Sequence, residues 1–263
     1  MRLLALDFDG VISDSAPESF VVALRTYLGF RPDSRLAAGA VGLEGASAPD
    51  LARVRRAPAH APFLEMMPLG NRAEDYAVVL AAIDAGQQIA DQPGYDAFRA
   101  RQDPDWLSHF HRRFYAERGA LSAGDPEGWR SLMAPYAPIV DLLRRRVSEV
   151  VLAIATSKDR RSVEALLQLY GIADLFVADR ILDKETGASK RAHVELLAAR
   201  TGIDLADITF VDDKVNHLDR VAPLGTRCAL AAWGYNGRRE IELARKRGYL
   251  VCTLGDVERQ LFG

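Results

Sequence analysis

Apolar residues recur along this chain in two rhythms. Six short runs, at 3–8, 150–156, 175–182, 208–213, 228–233 and 250–254, are rich in Val, Ile and Leu and do not alternate with polar residues. That is the pattern of parallel strands covered on both faces. Between them the apolar positions fall three and four apart. In 158–171, Val163, Leu166, Leu167 and Tyr170 share one helical face and Gly171 follows as a stop. The segments 190–202 and 238–248 repeat the design and stop at Gly202 and Gly248. Glycine just past the last helical residue is a C-terminal cap signal. Strands alternating with helices predict an α/β fold, a doubly wound parallel sheet.

Residues 16–135 break this rhythm. They contain no convincing strand, but helical patterns at 17–29, 71–86 and 103–119. Asn71 with Glu74 approximates a capping box, and Pro104 after Asp103 suits a first helical position. Trp106, Phe110 and Phe114, four apart, read as the core of this segment, and the Ala/Gly/Pro-rich stretch 37–62 as an irregular or mobile part of it. The insert is far too long for a loop. The chain is therefore read as two domains: 1–15 with 136–263 forming the α/β domain, and 16–135 an inserted α-helical domain.

Composition narrows the class. The 263 residues are 49% hydrophobic, enough for a sizeable core, and the net charge of −2 gives no pull toward nucleic acid or an anionic membrane. The apolar runs fall short of the ~20 residues of a membrane span. Asp7 and Asp9 interrupt any secretory apolar region, and no small-residue cleavage site follows. Cys228 and Cys252 each lie in an apolar run and read as buried thiols in a reducing compartment. The expectation is a cytoplasmic globular protein with no nucleic-acid or membrane partner. Nothing in the sequence sets the oligomeric state.

In open α/β sheets, ligands bind beyond the carboxyl ends of the strands. The first run carries Asp7 and Asp9 there, the second Thr156 and Ser157, the fourth Asp212 and Asp213, and Lys190 opens the helix after the third. Two bare carboxylates ~4 Å apart repel by roughly 4 kcal/mol at an effective dielectric near 20. Such a cluster calls for a cation, and an all-oxygen set with few protein ligands suits Mg²⁺, which shares phosphate oxygens. A hydroxyl and an ammonium suit a phosphate group. Alternation along the strand aims Asp7 and Asp9 the same way while Phe8 enters the core. Asp7 can then attack phosphorus, Asp9 can exchange a proton with the leaving oxygen, and Gly10 permits a sharp turn. Lys184 competes with Lys190 for the lysine role. Lys190 is preferred because it immediately precedes an amphipathic helix. Lys158 is read as a surface residue or as support behind the site. His109 and His111, two apart on a helix, face different ways and read as surface or core. The glycines of 39–45 lack the spacing of a nucleotide-binding loop.

The motifs "DFDGVISDS", "IATSKD", the lysine of "ASKRAHVELL" and "TFVDDKVNHLD" together resemble the haloacid dehalogenase-like hydrolase superfamily, in its phosphatase branch. The resemblance covers about 1–15 and 136–263. It extends to the insert by position alone, which is similar to a helical cap of the C1 class. It implies that Asp7 is a nucleophile forming an aspartyl-phosphate and that Asp9 is the general acid and base. It further implies that the Asp7 and Asp213 carboxylates and the Asp9 carbonyl bind Mg²⁺, with Asp212 inside or just outside the coordination shell. Thr156, Ser157 and Lys190 would hold the phosphate, and the cap would exclude bulk water. The chain departs from the pattern at Asn216 and His217, where many relatives carry a further aspartate. Whether Asp219 substitutes is open at this level.

The implied activity is Mg²⁺-dependent hydrolysis of a small phosphorylated metabolite, phosphoglycolate-like or sugar-phosphate-like. A phosphomutase shares the need for Asp9, and a catalytically idle phosphate-binding scaffold is a further alternative. Dehalogenase and phosphonatase relatives lack or replace Asp9. A phosphorylated signalling receiver would carry its acidic pair first and no helical insert, whereas here a second acidic pair comes last.

Overall fold

The computed structural model describes residues 1–70, 72–187 and 189–263. The chain divides into two compact units, Met1–Asp14 with Pro135–Gly263, and Ser15–Ala134.

The first unit is built on six strands: β1 (Leu3–Leu6), β2 (Val151–Ala155), β3 (Ile181–Leu182), β4 (Ile208–Asp212), β5 (Arg227–Ala231) and β6 (Leu250–Cys252). They lie in the order β3-β2-β1-β4-β5-β6, and every adjacent pair is parallel. In register, Ala5 of β1 faces Ala153 on one side and Phe210 on the other. Leu3, Ala5, Ala153, Phe210 and Leu230 join Val194, Leu197 and Leu218 from the helices in one buried cluster. Burial on both faces is why these strands read as unbroken apolar runs. Helices Arg160–Leu169, Lys190–Thr201, Val215–Val221 and Arg238–Lys246 alternate with the strands. The expected stops Gly171, Gly202 and Gly248 all have positive φ. This is the doubly wound α/β architecture expected from the pattern. The strand order reverses between β1 and β4, which opens a crevice at their carboxyl ends.

One strand is shorter than expected. Of 175–182 only Ile181–Leu182 pairs with β2, because two 3₁₀ turns, Ala173–Leu175 and Ala178–Arg180, occupy the rest. Val177 is 53% exposed, and the polar pair Asp179 and Arg180 follows it at this sheet edge.

The second unit is helical. Ala16–Phe30, Ala73–Asp84 and Pro104–Gly124 pack on one another. Phe20, Phe63, Phe110 and Phe114 are fully buried. The Phe110 and Phe114 rings lie 6.4 Å apart and Trp106 reaches Phe110 at 6.2 Å, so the aromatic stripe is core. Pro104 is the first helical residue, and the Asp103 carboxylate accepts from the Asp105 N–H at 2.9 Å. The stretch 37–62 is more regular than expected. Asp50 caps a helix over Leu51–Arg56, and another, His60–Met66, begins within it. Val54 and Phe63 are buried there, while Pro58, Pro62 and the short element lengths hide the helical period. The capping residue expected at Asn71 lies outside the described residues. Asp75 instead accepts from the Arg72 N–H at 3.0 Å. Among the described residues no helix is long and apolar enough to cross a membrane, and both cysteines are free and buried.

Candidate active site

β1 stops at Leu6, and Asp7 is the first residue beyond it. Its N–H still donates to Val211 of β4 at 2.9 Å, so its backbone is held at the crevice. The carboxylate Oδ1 accepts from the Phe8 N–H at 2.7 Å and from Lys190 Nζ at 2.7 Å. Lys190 is the first residue of its helix, whose N-cap Ser189 accepts from the Ala192 N–H at 3.2 Å. Its Nζ also donates to the Ala155 carbonyl at 2.7 Å and lies 3.3 Å from Asp212 Oδ2. One buried ammonium thus ties together the ends of β1, β2 and β4. Lys184, the competing lysine, is exposed in the loop after β3.

Asp212 ends β4 with no exposed surface. Its Oδ1 accepts from the Lys214 N–H at 2.9 Å, and His217 Nδ1 lies 3.0 Å away. Asp213 is also buried, and its Oδ2 accepts from the Tyr235 N–H at 2.8 Å. The turn after β1 is fitted around it. Gly10 has φ +80°, and a Cβ there would lie 2.4 Å from Asp213 Oδ2. A Cβ on Gly234 would lie 2.4 Å from Asp213 Cβ and 2.3 Å from the Gly10 carbonyl oxygen. Only glycine fits either position without moving the carboxylate.

Thr156 follows β2. Its N–H donates to Leu182 at 2.8 Å, and its Oγ1 accepts from the Lys158 N–H at 3.1 Å. The helix behind it is capped by Asp159, not Thr156, so the Thr156 O–H can still donate. Ser157 is exposed on the turn. Phe8 is fully buried, as expected, and stacks on Tyr170 with ring centroids 6.4 Å apart. Asp9 beyond it keeps 32% of its side chain exposed.

Of the two readings of Lys158, the surface one is corrected and the support behind the site holds. Its side chain is 1% exposed, and Nζ lies 3.1 and 3.3 Å from the two Asp9 oxygens. The apolar β2 next to it carries the signal: a lysine three residues past a buried strand starts inside the fold. His217 and the segment 234–236 also went unassigned. Glycines at 234 and 237 around Tyr235 and Asn236 mark a tight turn at a strand end, but not what it grips. Asp219 stands apart from the cluster: its Oδ1 accepts from Tyr249 Oη at 2.7 Å and pairs with Arg247.

The electrostatics are unbalanced. Burial raises the pKa of Asp7, the neighbouring Asp212 adds to this, and Lys190 offsets it only in part. Asp213 is held well above the usual carboxylate range by burial, then by the charges of Asp212 and Asp7. Burial opposes the charge of Asp212 as well, but His217 and Lys190 outweigh it and its pKa falls. Burial likewise disfavours the Lys190 ammonium, yet Asp7 and Asp212 raise its pKa. Asp7 and Asp212 share the buried Lys190 ammonium, while the charge of the buried Lys214 offsets the rise of Asp213 only in part. Asp7, Asp212 and His217 bring ligand atoms within 4.8 Å of one another. A hard divalent cation fits such a donor set, because it relieves the repulsion that raises Asp7 and Asp213. The carboxylates are its natural ligands. His217 Nδ1 is engaged with Asp212, where it orients that group.

The family model for haloacid dehalogenase-like hydrolases matches residues 1–219. A phosphoglycolate phosphatase of Synechococcus elongatus is 30% identical over 111 residues, which cover 41% of this chain and 51% of that protein. The match thus spans about half the length of that relative. Among solved structures, one described as a predicted phosphoglycolate phosphatase from Haemophilus somnus superposes with a TM-score of 0.63 at 19% identity, over 98% of this chain and 97% of that one. A haloacid dehalogenase-like family hydrolase from Streptococcus pneumoniae gives 0.63 at 13% identity, with the same coverage. At such identities the structures speak for the fold alone. With the motif order, the sheet topology and a family match over most of its length, this chain belongs to the haloacid dehalogenase-like hydrolases.

Proposed function

We propose that this protein is a Mg²⁺-dependent phosphatase that hydrolyses a small phosphorylated metabolite, phosphoglycolate-like or sugar-phosphate-like, through an aspartyl-phosphate on Asp7. The observation that carries the reading is the Lys190 ammonium bridging Asp7 and Asp212 at the β1–β4 crevice. It fixes the nucleophile beside a positive charge suited to the oxygens of a transferring phosphoryl group. Thr156 supplies a hydroxyl donor on the neighbouring strand. Asp9, with about a third of its side chain exposed, can meet a leaving oxygen and then a water. Asp7, Asp213 and the Asp9 carbonyl would hold Mg²⁺, with Asp212 supporting them. The cation would supply charge neutralisation for the nucleophile and the phosphate. The name of the Synechococcus relative supports phosphoglycolate as a candidate substrate. Residues 16–135 act, in this proposal, as a separate domain that selects among substrates.

A screen for phosphate release over metabolite phosphates, with Mg²⁺ and with chelator, tests this. Mg²⁺-dependent release from a narrow set of monoesters is expected. Replacing 16–135 by a short linker should keep hydrolysis of a generic aryl phosphate and lose that selectivity. Isomerised sugar phosphate without free phosphate would point to a mutase. Inertness toward every ester would leave the idle-scaffold alternative.

A further inference from the structure

Lys158 enters none of the roles above, yet it is built into the site. Its backbone is fixed on both sides: its N–H donates to Thr156 Oγ1 at 3.1 Å, and its carbonyl accepts from the Lys184 N–H at 3.3 Å. Its side chain is 1% exposed, and its ammonium donates to both oxygens of Asp9 at 3.1 and 3.3 Å. A long, flexible side chain gives up rotamer entropy when held in one buried conformation. Contact with both oxygens holds the Asp9 carboxylate head against the ammonium and restricts the rotamers its side chain can take. Asp9 sits between the buried Phe8 and the positive-φ turn at Gly10, so its backbone is set as well.

We propose that Lys158 is a positioning residue for Asp9, holding its carboxylate in the orientation that accepts a proton from water. The inference rests on the phosphatase reading. In the second half of that reaction, a water oxygen bonds to phosphorus while the bond from phosphorus to the Asp7 oxygen breaks. Asp7 is released as a carboxylate, the water proton passes to Asp9, and inorganic phosphate departs. A mispositioned base slows this half by about 10²-fold. The first half, with a good leaving group such as p-nitrophenolate, needs no proton and proceeds. Thr156, whose hydroxyl oxygen holds the Lys158 backbone, thereby links the phosphate-binding turn to the base.

The experiment is rapid-mixing kinetics of p-nitrophenyl phosphate hydrolysis with Mg²⁺, on wild type, Lys158→Met, Lys158→Arg and Asp9→Asn. Lys158→Met should release close to one p-nitrophenolate per protein in a burst, then turn over about 10²-fold more slowly than wild type, with acid-stable phosphoprotein accumulating. Lys158→Arg, which can still donate to both oxygens, should recover most of the steady rate. Adding Lys158→Met to Asp9→Asn should cost nothing further. Lys158→Gln is run alongside in case the methionine variant does not fold. Wild-type turnover in the methionine or glutamine variant overturns the proposal, as does loss of burst and steady rate together without phosphoprotein. A wild-type protein inert toward the ester overturns the phosphatase reading, and this one with it.

Discussion

Both compact units bury charge, and they do so differently. In the helical unit Glu18 has no exposed surface, and Arg118 meets its two oxygens at 2.7 and 2.7 Å while Trp129 Nε1 donates at 3.1 Å. Asp75 is likewise matched by Arg99 and Tyr95, each at 2.9 Å. Each carboxylate there has its own cation and satisfied oxygens, the arrangement a structural ion pair requires. In the α/β unit Asp7 and Asp212 share the Lys190 ammonium and Asp213 is offset in part by Lys214, yet Asp7 and Asp213 are still driven toward protonation by burial and by neighbouring carboxylates. Selection for stability alone gives no reason to keep such an excess. Balanced buried charge reads as architecture, and unbalanced buried charge reads as a site awaiting a cationic partner.

Substitutions on the two sides should therefore fail in opposite ways. Asp7→Asn removes the proposed nucleophile and should lower turnover by roughly 10⁴-fold, while leaving stability equal or higher because one charge leaves a repelling cluster. Glu18→Gln strands the Arg118 guanidinium and should lower stability by about 3–5 kcal/mol. Urea unfolding of the two variants beside wild type, with turnover measured on each, checks both arms. If Asp7→Asn is the destabilised one and Glu18→Gln is neutral, the contrast is lost.

A smaller effect sharpens the contrast within the α/β unit. His193 is buried behind Lys190 with its Nε2 on the Asp183 carbonyl at 3.0 Å. Burial, then the Lys190 charge, lowers its pKa from 6.5 to about 4. The unfolded chain takes up that proton first as pH falls. The stability tied to neutral His193 is thus complete above about pH 6.5 and is lost between there and about pH 4. From pH 7 to pH 5 the loss should be about 2 kcal/mol. Unfolding midpoints across that range should fall less steeply for His193→Gln. Parallel slopes would mean that His193 titrates normally in the folded protein.

Much of this was legible before any coordinates. The apolar runs and glycine stops located five of the six strands closely, because burial on both faces leaves no polar alternation to confuse with a surface strand. The sixth, at 175–182, failed where Asp179 and Arg180 turn the chain into 3₁₀ geometry. The carboxylates at 7, 212 and 213 and the lysine at 190 could be named, since strand ends are where a parallel sheet gathers chemistry. For Lys158 the sequence left a surface role and support behind the site both open, because its partner Asp9 is 149 positions away. The grip of Tyr235 on Asp213 is a backbone donor, and side-chain identity carries no signal for it.

The central claim, that the carboxylate excess is a cation site, is tested most directly by paired thermal melts of wild type and Asp213→Asn, with Mg²⁺ and with chelator. A ligand that binds only the folded state contributes RT ln(1 + [L]/Kd), about 1.4 kcal/mol at a tenfold excess over Kd. Wild type should melt higher with Mg²⁺ than with chelator. Asp213→Asn should be at least as stable as wild type in chelator, and Mg²⁺ should shift it less. An equal Mg²⁺ shift in both proteins, or none in either, would contradict the account.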